Sequence, residues 1–496
     1  MKTFARTLFF AATLIVMLAI PLYGQNGSIN NTLNIGGAFN VKDGSTTFLT
    51  LSQSDGYLGL NKSLTLPTTT DATLGVIYKD GNRFIHNYQA TGTYGGNTFV
   101  GLDAGNFTLS GSYNSAFGYH SLSANTSGFG NSAFGYMSLR LNTGGNYNSV
   151  FGTSALNANT EGSDNSAFGY QSLSSNTTAV GNSAFGSKAL QYNTQGNENS
   201  AFGYQSLSKN TTSGGNSAFG YQSLKANLGG YNSAFGYQSL KANHVGYNNS
   251  AFGLNSLGSN TDGYNNSAFG LNSLDANTTG NNNSAFGTRS LHSNTTGQSN
   301  AAFGFNTLEA NTTGISNSAF GLFSLNRNTT GNYNTAIGRS AGLSITTGSN
   351  NTAVGYDAQV PNNTADNQVR IGNTNITYAG IEVAWTVTSD RRRKEEIQPL
   401  GSGLDFVSML RPVSYTRKND DKHRTEYGFI AQEVEQVLKD QRIQNSGMLT
   451  IDEKGFYELR YNDLLAPIVK AIQELKNENA LLKKELESLR TSMASK

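Results

Sequence analysis

A strict period runs through the middle of this chain and limits what it can fold into. An apolar residue recurs in an N-S/T-A-apolar-G core, at Val100, Phe117, Phe134, Phe151, Phe168, Phe185, Phe202, Phe219, Phe235, Phe252, Phe269, Phe286, Phe303, Phe320, Ile337 and Val354. Every interval is 17 residues except Phe219 to Phe235, which is 16. Five residues after the core a Leu recurs from Leu122 through Leu325, and eight residues after it an Asn usually opens a turn such as "NTTG". So short a period means a solenoid or roll, because one unit cannot bury its own apolar face. Gly, Asn, Thr and Ser fill the unit, which argues against helix. The pattern predicts two short strands per unit, "NSAFG" and "YQSL", with Phe and Leu pointing inward and Asn at turns that tolerate the left-handed conformation. With one unit per coil at ~4.8 Å, the repeat predicts a rod of roughly 70 Å.

Charge and chemistry-bearing residues narrow the function. The net charge is +2, which gives no global field toward nucleic acid or membrane. There is no Cys, so disulfides, zinc thiolates and a cysteine nucleophile are excluded. The five histidines (His86, His120, His244, His292, His423) are scattered, and none pairs at metal-ligand spacing. A calcium roll needs Asp at each turn, whereas here Asp appears only occasionally, as at Asp262. No cofactor and no metal are expected. A ladder of Thr and Asn on a flat face would suit ice or a glycan, and ordinary solvated turns are the simpler reading.

The N-terminus reads as a secretory signal. Lys2 and Arg6 precede the apolar run "LFFAATLIVMLAI", and Gly24 suits a cleavage position. The run is short for a bilayer span of ~20 residues. Cleavage after Gly24 is expected, giving a secreted or cell-surface protein with no transmembrane segment in the mature chain. Residues 25–93 lack the period but alternate like strands, and they read as a β region capping the roll.

The C-terminal part changes character. Residues 101–360 carry 8 Lys/Arg and 8 Asp/Glu, while residues 389–496 carry 19 and 18. Residues 369–388 read as a strand-rich neck. A helix is expected after Ser389, then a strand near "PVSYTRK", a helix at "FIAQEVEQVLKD", a strand pair near "MLTIDEKGFYELRY" and a long final helix. That helix has a heptad seam: Leu465, Ile472, Asn479 and Leu486 at a, with Ile468, Leu475, Leu482 and Leu489 at d. This predicts a short parallel coiled coil, with Asn479 setting register. The alternative is an amphipathic helix docked on its own domain.

Two resemblances follow. The alternation in "NTAIG" and "NNTAVG" resembles the head repeats of trimeric autotransporter adhesins, which build parallel β-rolls with three chains side by side. Most units here carry Phe where that family prefers Ile or Val. The blocks "SDRRRKEEI…GLDFVSMLRPVSY", "GFIAQEVEQVL" and "GFYELRYNDLLAPIVKAIQELK" resemble the endosialidase-type intramolecular chaperone, a C-terminal serine peptidase domain of phage tailspikes and tail fibres. Its motif, Ser-Asp, three variable residues, Lys, matches Ser389, Asp390 and Lys394. The resemblance implies a domain that trimerises, templates folding of the shaft and cuts itself off between Thr388 and Ser389. Ser389 would be the nucleophile, Lys394 its general base and Asp390 a supporting residue. Were the segment helical, Ser389 and Lys394 would lie about 140° apart. A dyad within one chain therefore needs Ser389 outside the helix, with Lys394 reaching back.

The expected fold is mainly β: a parallel β-roll or solenoid, then a small α+β domain and a coiled-coil helix. The expected divisions are 1–24 signal, 25–93 β cap, 94–360 repeats, 361–388 β neck, 389–462 chaperone and 463–496 coiled-coil helix. The expected function is an exported homotrimeric fibre with a self-cleaving folding chaperone, whose partner is itself. If active, the enzyme is a single-turnover serine endopeptidase. The alternative is an uncleaved trimeric adhesin whose roll binds a glycan or cell-surface ligand. Nucleic-acid binding through Arg391–Lys394 is disfavoured by the anions beside them.

Overall fold

The computed structural model describes residues 38–43, 46–52, 58–60, 63–383, 385–401 and 403–495. The expected signal segment lies outside these residues. The chain forms two compact units, one ending at Pro67 and one beginning at Thr68. The first holds an antiparallel sheet of Ala38–Asp43, Thr46–Ser52 and Leu58–Leu60.

In the second unit, seventeen three-residue strands pair in parallel and in chain order, from Thr98–Val100 to Val369–Ile371. Each residue pairs with its equivalent one repeat on, as in Ser250↔Ser267, Ala251↔Ala268 and Phe252↔Phe269. The architecture is a parallel β-solenoid. Its last rung, Val369–Ile371, lies seventeen residues beyond Thr352–Val354, so the period outruns the expected boundary at 360. Among the described residues, 372–388 contain no strand, so the expected β neck contributes that single rung.

Side-chain direction differs from expectation at the Phe. Alternate residues of a strand face opposite ways, and the three-residue strand centres on Ala. Ala116 and its equivalents are therefore fully buried, and the Ser and Phe beside them point outward. The phenylalanines form an external column from Phe117 to Phe320, with near-parallel rings and centroids 4.6–4.9 Å apart.

The second expected strand, "YQSL", is a turn. In each unit two positions there take positive φ, for example Gln205 at 55° and Leu207 at 50°. A left-handed leucine costs roughly 1–2 kcal/mol. Its complete burial, seen from Leu122 to Leu325, returns about 1.5–3 kcal/mol. Burial wins, and the leucine column with the alanine column makes the apolar core.

Two asparagine columns complete the interior. One runs from Asn97 to Asn351, the other from Asn125 to Asn328, and all are buried. In the first, each Asn backbone N–H donates to Oδ1 of the Asn one rung earlier at 2.9–3.1 Å, and Gln368 closes the series. The Asn side of the Thr and Asn ladder considered for a ligand is thus internal. The threonine hydroxyls beside it donate to the next rung's carbonyl, as Thr278 does to Thr295 at 3.1 Å. The 16-residue interval removes one residue from the turn between Asn227 and Asn232. Asn227 then donates to Gly229 two residues on, where Asn243 and its equivalents donate three residues on, and strand register survives.

The N-terminal end is covered by the hairpin Ile77–Lys79 and Asn82–His86, which pairs antiparallel with the first rung. There Phe99 replaces Ala in the interior column and packs against His86, with ring centroids 4.8 Å apart. His86 Nε2 donates to Ala104 O at 2.9 Å while Nδ1 accepts from the Tyr88 N–H at 3.3 Å, which fixes the neutral tautomer. Burial, opposed by the Ala104 carbonyl and aided by Arg83, holds its pKa down to about 4, against an ordinary value of 6.5.

After the shaft come a 3₁₀ turn at Arg391–Arg393, a helix at Leu404–Met409, the hairpin Val413–Thr416 and Thr425–Gly428, and a helix at Ala431–Asp440. A second hairpin, Leu449–Ile451 and Tyr457–Leu459, precedes the helix Leu465–Ala494. The α-helix expected directly after Ser389 is only that three-residue turn. A small core of Phe406, Leu410, Val434, Val437, Leu438, Met448 and Leu464 unites the domain. Among the described residues, no helix is long and apolar enough to cross a membrane.

Two measurements test this packing. Gly253 has φ 137°, and an added Cβ would lie 2.4 Å from the next rung's Gly270 O. Gly253→Ala should cost about 1–3 kcal/mol from backbone strain alone, lowering the melting temperature. Gly263→Ala should cost less: an added Cβ would also approach Gly280 O at 2.5 Å, but its φ is not in the positive region, and Ala179 and Ser213 occupy the equivalent position in other rungs. At the N-terminal cap, His86 takes up its proton more readily unfolded than folded. Its contribution is complete above pH 6.5 and is lost as pH falls toward 4, by up to about 3 kcal/mol. Amide protection factors around residues 84–107, corrected for the intrinsic pH dependence of exchange, should fall at pH 5 relative to pH 7.5, while mid-shaft protection factors stay constant.

Candidate functional site at the shaft–domain border

Asp390 sets the local geometry after Thr388. It is extended (φ −64°, ψ 132°) and caps the 3₁₀ turn by accepting the Arg392 N–H at 2.8 Å. Both its carboxylate oxygens also take the Arg392 guanidinium, at 2.7–3.2 Å. These bonds hold the Asp390 carboxyl below the usual carboxylate range. One tight turn of three residues follows, and the chain becomes extended again at Lys394 (φ −123°, ψ 137°), whose N–H bonds back to Arg391 O.

This turn folds Lys394 back on Ser389. The Lys394 Nζ donates to Ser389 Oγ at 2.7 Å. A continuous helix would have separated the two side chains, and the short 3₁₀ turn lets them meet. Asp390 does not join them directly, since its side chain is committed to Arg392. Among the described residues, Lys394 has no carboxylate within ion-pair distance, so Glu395 and Glu396 do not neutralise it. Ser389 and Lys394 are solvent-exposed in a single chain. The arrangement holds a hydroxyl and an amine at proton-transfer distance, next to the Thr388–Ser389 bond.

The heptad residues behave as a set. The helix Leu465–Ala494 docks on its own domain through Pro467, Ala471 and Glu474. Glu474 accepts the Leu404 N–H at 2.6 Å and so caps the short helix Leu404–Met409. The a/d seam is a different face, and it is left exposed: Leu465 is 62%, Ile472 61% and Leu482 61% accessible. Ile468, Leu475, Leu486 and Leu489 are exposed as well, and Asn479 lies among them. Docking on the domain thus uses one stripe and leaves the seam unpartnered.

The contacts between shaft and domain lay beyond the sequence reading. Arg370 pairs with Glu458, and Glu453 Oε1 accepts the Asn363 N–H at 2.5 Å. A signal existed: Arg370 falls seventeen residues after Ala353, in the interior alanine column.

Residues 389–442 match the family model described as chaperone of endosialidase. No curated protein and no solved structure matches the chain. The match begins at Ser389 itself and spans the 3₁₀ turn, the first hairpin and the helix Ala431–Asp440. Behind a parallel β-solenoid shaft, the chain therefore carries a chaperone-of-endosialidase domain, the architecture of a tail-fibre-like protein.

Proposed function

We propose that this chain is an exported, homotrimeric fibre whose C-terminal domain trimerises, templates the shaft and then releases itself by cutting between Thr388 and Ser389. The observation that carries this reading is the Lys394–Ser389 hydrogen bond at the first residue of the matched domain. Ser389 Oγ attacks the Thr388 carbonyl carbon while neutral Lys394 takes its proton. The C–N bond breaks, the Ser389 amine leaves protonated, and Thr388 is held as an ester on Ser389. Water then hydrolyses the ester to the Thr388 carboxylate and the free hydroxyl. The base must be neutral, and the ordinary Lys pKa is about 10.4. In one chain the dyad stands in water. Burial by neighbouring copies would favour the neutral amine, which couples cutting to completed assembly.

The exposed heptad seam supports the trimer. Seven apolar seam positions along one helix, with Asn479 among them, leave a stripe that a soluble monomer has no reason to present. The shaft supplies the need for a template. Its rungs are so alike that pairing one unit out of register costs little, and misaligned strand edges aggregate. Once the template has gone, refolding is slow and the fibre is kinetically stable.

A second reading, an uncleaved adhesin, is favoured by the external phenylalanine column and by the exposed tyrosines beside it, such as Tyr204, Tyr221 and Tyr237. A glycan array probed with the full protein separates it: binding that Phe219→Ser with Tyr221→Ser abolishes supports an adhesin.

Expressed wild type should give a cut product on a denaturing gel, while Ser389→Ala and Lys394→Ala should remain full length. An uncut wild type indistinguishable from Ser389→Ala would remove autoproteolysis. Leu475→Asp should abolish the trimer in light scattering and suppress the cut with it.

A further inference from the structure

The solenoid has to end somewhere, and its C-terminal end is built unlike any other rung. In every complete rung from Ser115–Phe117 to Thr352–Val354, the central strand residue is Ala or Val, buried in the bore. In the last rung that position is Arg370. A guanidinium cannot remain in an apolar bore without partners. Its Nε donates to Gln359 O at 3.2 Å, and its Nη2 leaves through the open end to meet Glu458 on the hairpin Leu449–Tyr457–Leu459.

A second carboxylate from the same hairpin finishes the rung. Glu453 Oε1 accepts the Asn363 N–H at 2.5 Å, and the Glu453 N–H donates to Pro361 O at 3.1 Å. In the shaft interior, a threonine carbonyl of the next rung takes the N–H at the position of Asn363, as Thr278 O takes that of Thr261. Among the described residues no next rung exists at the end, and Glu453 stands where it would be. The domain thus supplies the hydrogen-bond face that a preceding, already folded rung would otherwise provide.

We infer that this hairpin is the template surface. Glu453 and Glu458 act together as a surrogate rung, setting the register of 361–371, from which the remaining rungs are laid toward the N-terminus. The inference rests on the folding-template reading above and names the contact through which it operates. Arg370 and Glu458 are positioning residues, distinct from the Ser389–Lys394 pair. Because the contact is ionic, it favours one register: displaced by a rung, Glu458 would face Ala353 in place of Arg370.

The test uses the full chain in a Ser389→Ala background, so that cutting does not enter the readout. The yield of protease-resistant, SDS-resistant shaft is measured for Glu458→Arg, Arg370→Glu, the double exchange, Glu458→Gln and Leu475→Asp. The inference predicts a several-fold loss for each single reversal, an intermediate loss for Glu458→Gln, and recovery in the double exchange. Reversals that fold to the parent yield would overturn it. So would single losses that the double exchange leaves unrepaired, since those report damage to the domain alone. If Leu475→Asp also folds to the parent yield, the template reading itself fails. If Leu475→Asp loses the shaft while the reversals do not, only the surrogate-rung contact fails.

Discussion

A coil of seventeen residues is so narrow that the backbone groups at its corners are cut off from water. Unpaired, each would cost about 1–3 kcal/mol. One asparagine per rung resolves this. Its Oδ1 accepts the next asparagine's backbone N–H, and its Nδ2 donates to a carbonyl fourteen residues on, as Asn266 does to Gly280 at 2.9 Å. The amide spans rung to rung at the same step as the strand ladder, so side chain and backbone repeat together. An asparagine amide carries its acceptor and its donors on separate atoms of a short side chain, so it bonds two neighbouring backbone groups at once. The turn geometry, the buried leucine at positive φ and the glycine where adjacent rungs touch all follow from closing the coil around these columns.

The same regularity makes the shaft hard to start. A ladder that satisfies every rung equally satisfies a displaced one nearly as well, so nothing within the repeats chooses a register. The ends differ. At the N-terminal end, Phe99 and His86 plug the bore with aromatic rings. At the C-terminal end, Arg370 faces carboxylates that belong to another domain. The seam of Leu465–Leu489 and the Ser389–Lys394 pair belong to that domain too. Under the proposed function, registration, association and release would sit together at one end of the fibre.

The solenoid was legible because its period is written in every unit, and so was the need for Ser389 to lie outside a helix with Lys394 reaching back; that the helix is only a three-residue 3₁₀ turn was not. The orientation of Phe was not. Bulk and hydrophobicity argued for the interior, but a three-residue strand has one inward position, and Ala116 and its equivalents occupy it. That could have been read from the alternation Ser-Ala-Phe alone. The turn at "YQSL" was hidden for a different reason: a leucine at φ near 50° contradicts local propensity, and only its burial in the finished stack compensates. Residues 369–371 were read as neck although Ile371 and Gly372 continue the period from Val354 and Gly355; the sign that this rung ends the shaft lay one residue earlier, where Arg370 takes the column's Ala position.

We propose that the domain leaves the fibre it helped to build. The intact mass of the purified, fully assembled protein tests this most directly. The account predicts a shaft polypeptide ending at Thr388 and a separate fragment beginning at Ser389. A single species extending through Lys496 in assembled, protease-resistant fibres would contradict it.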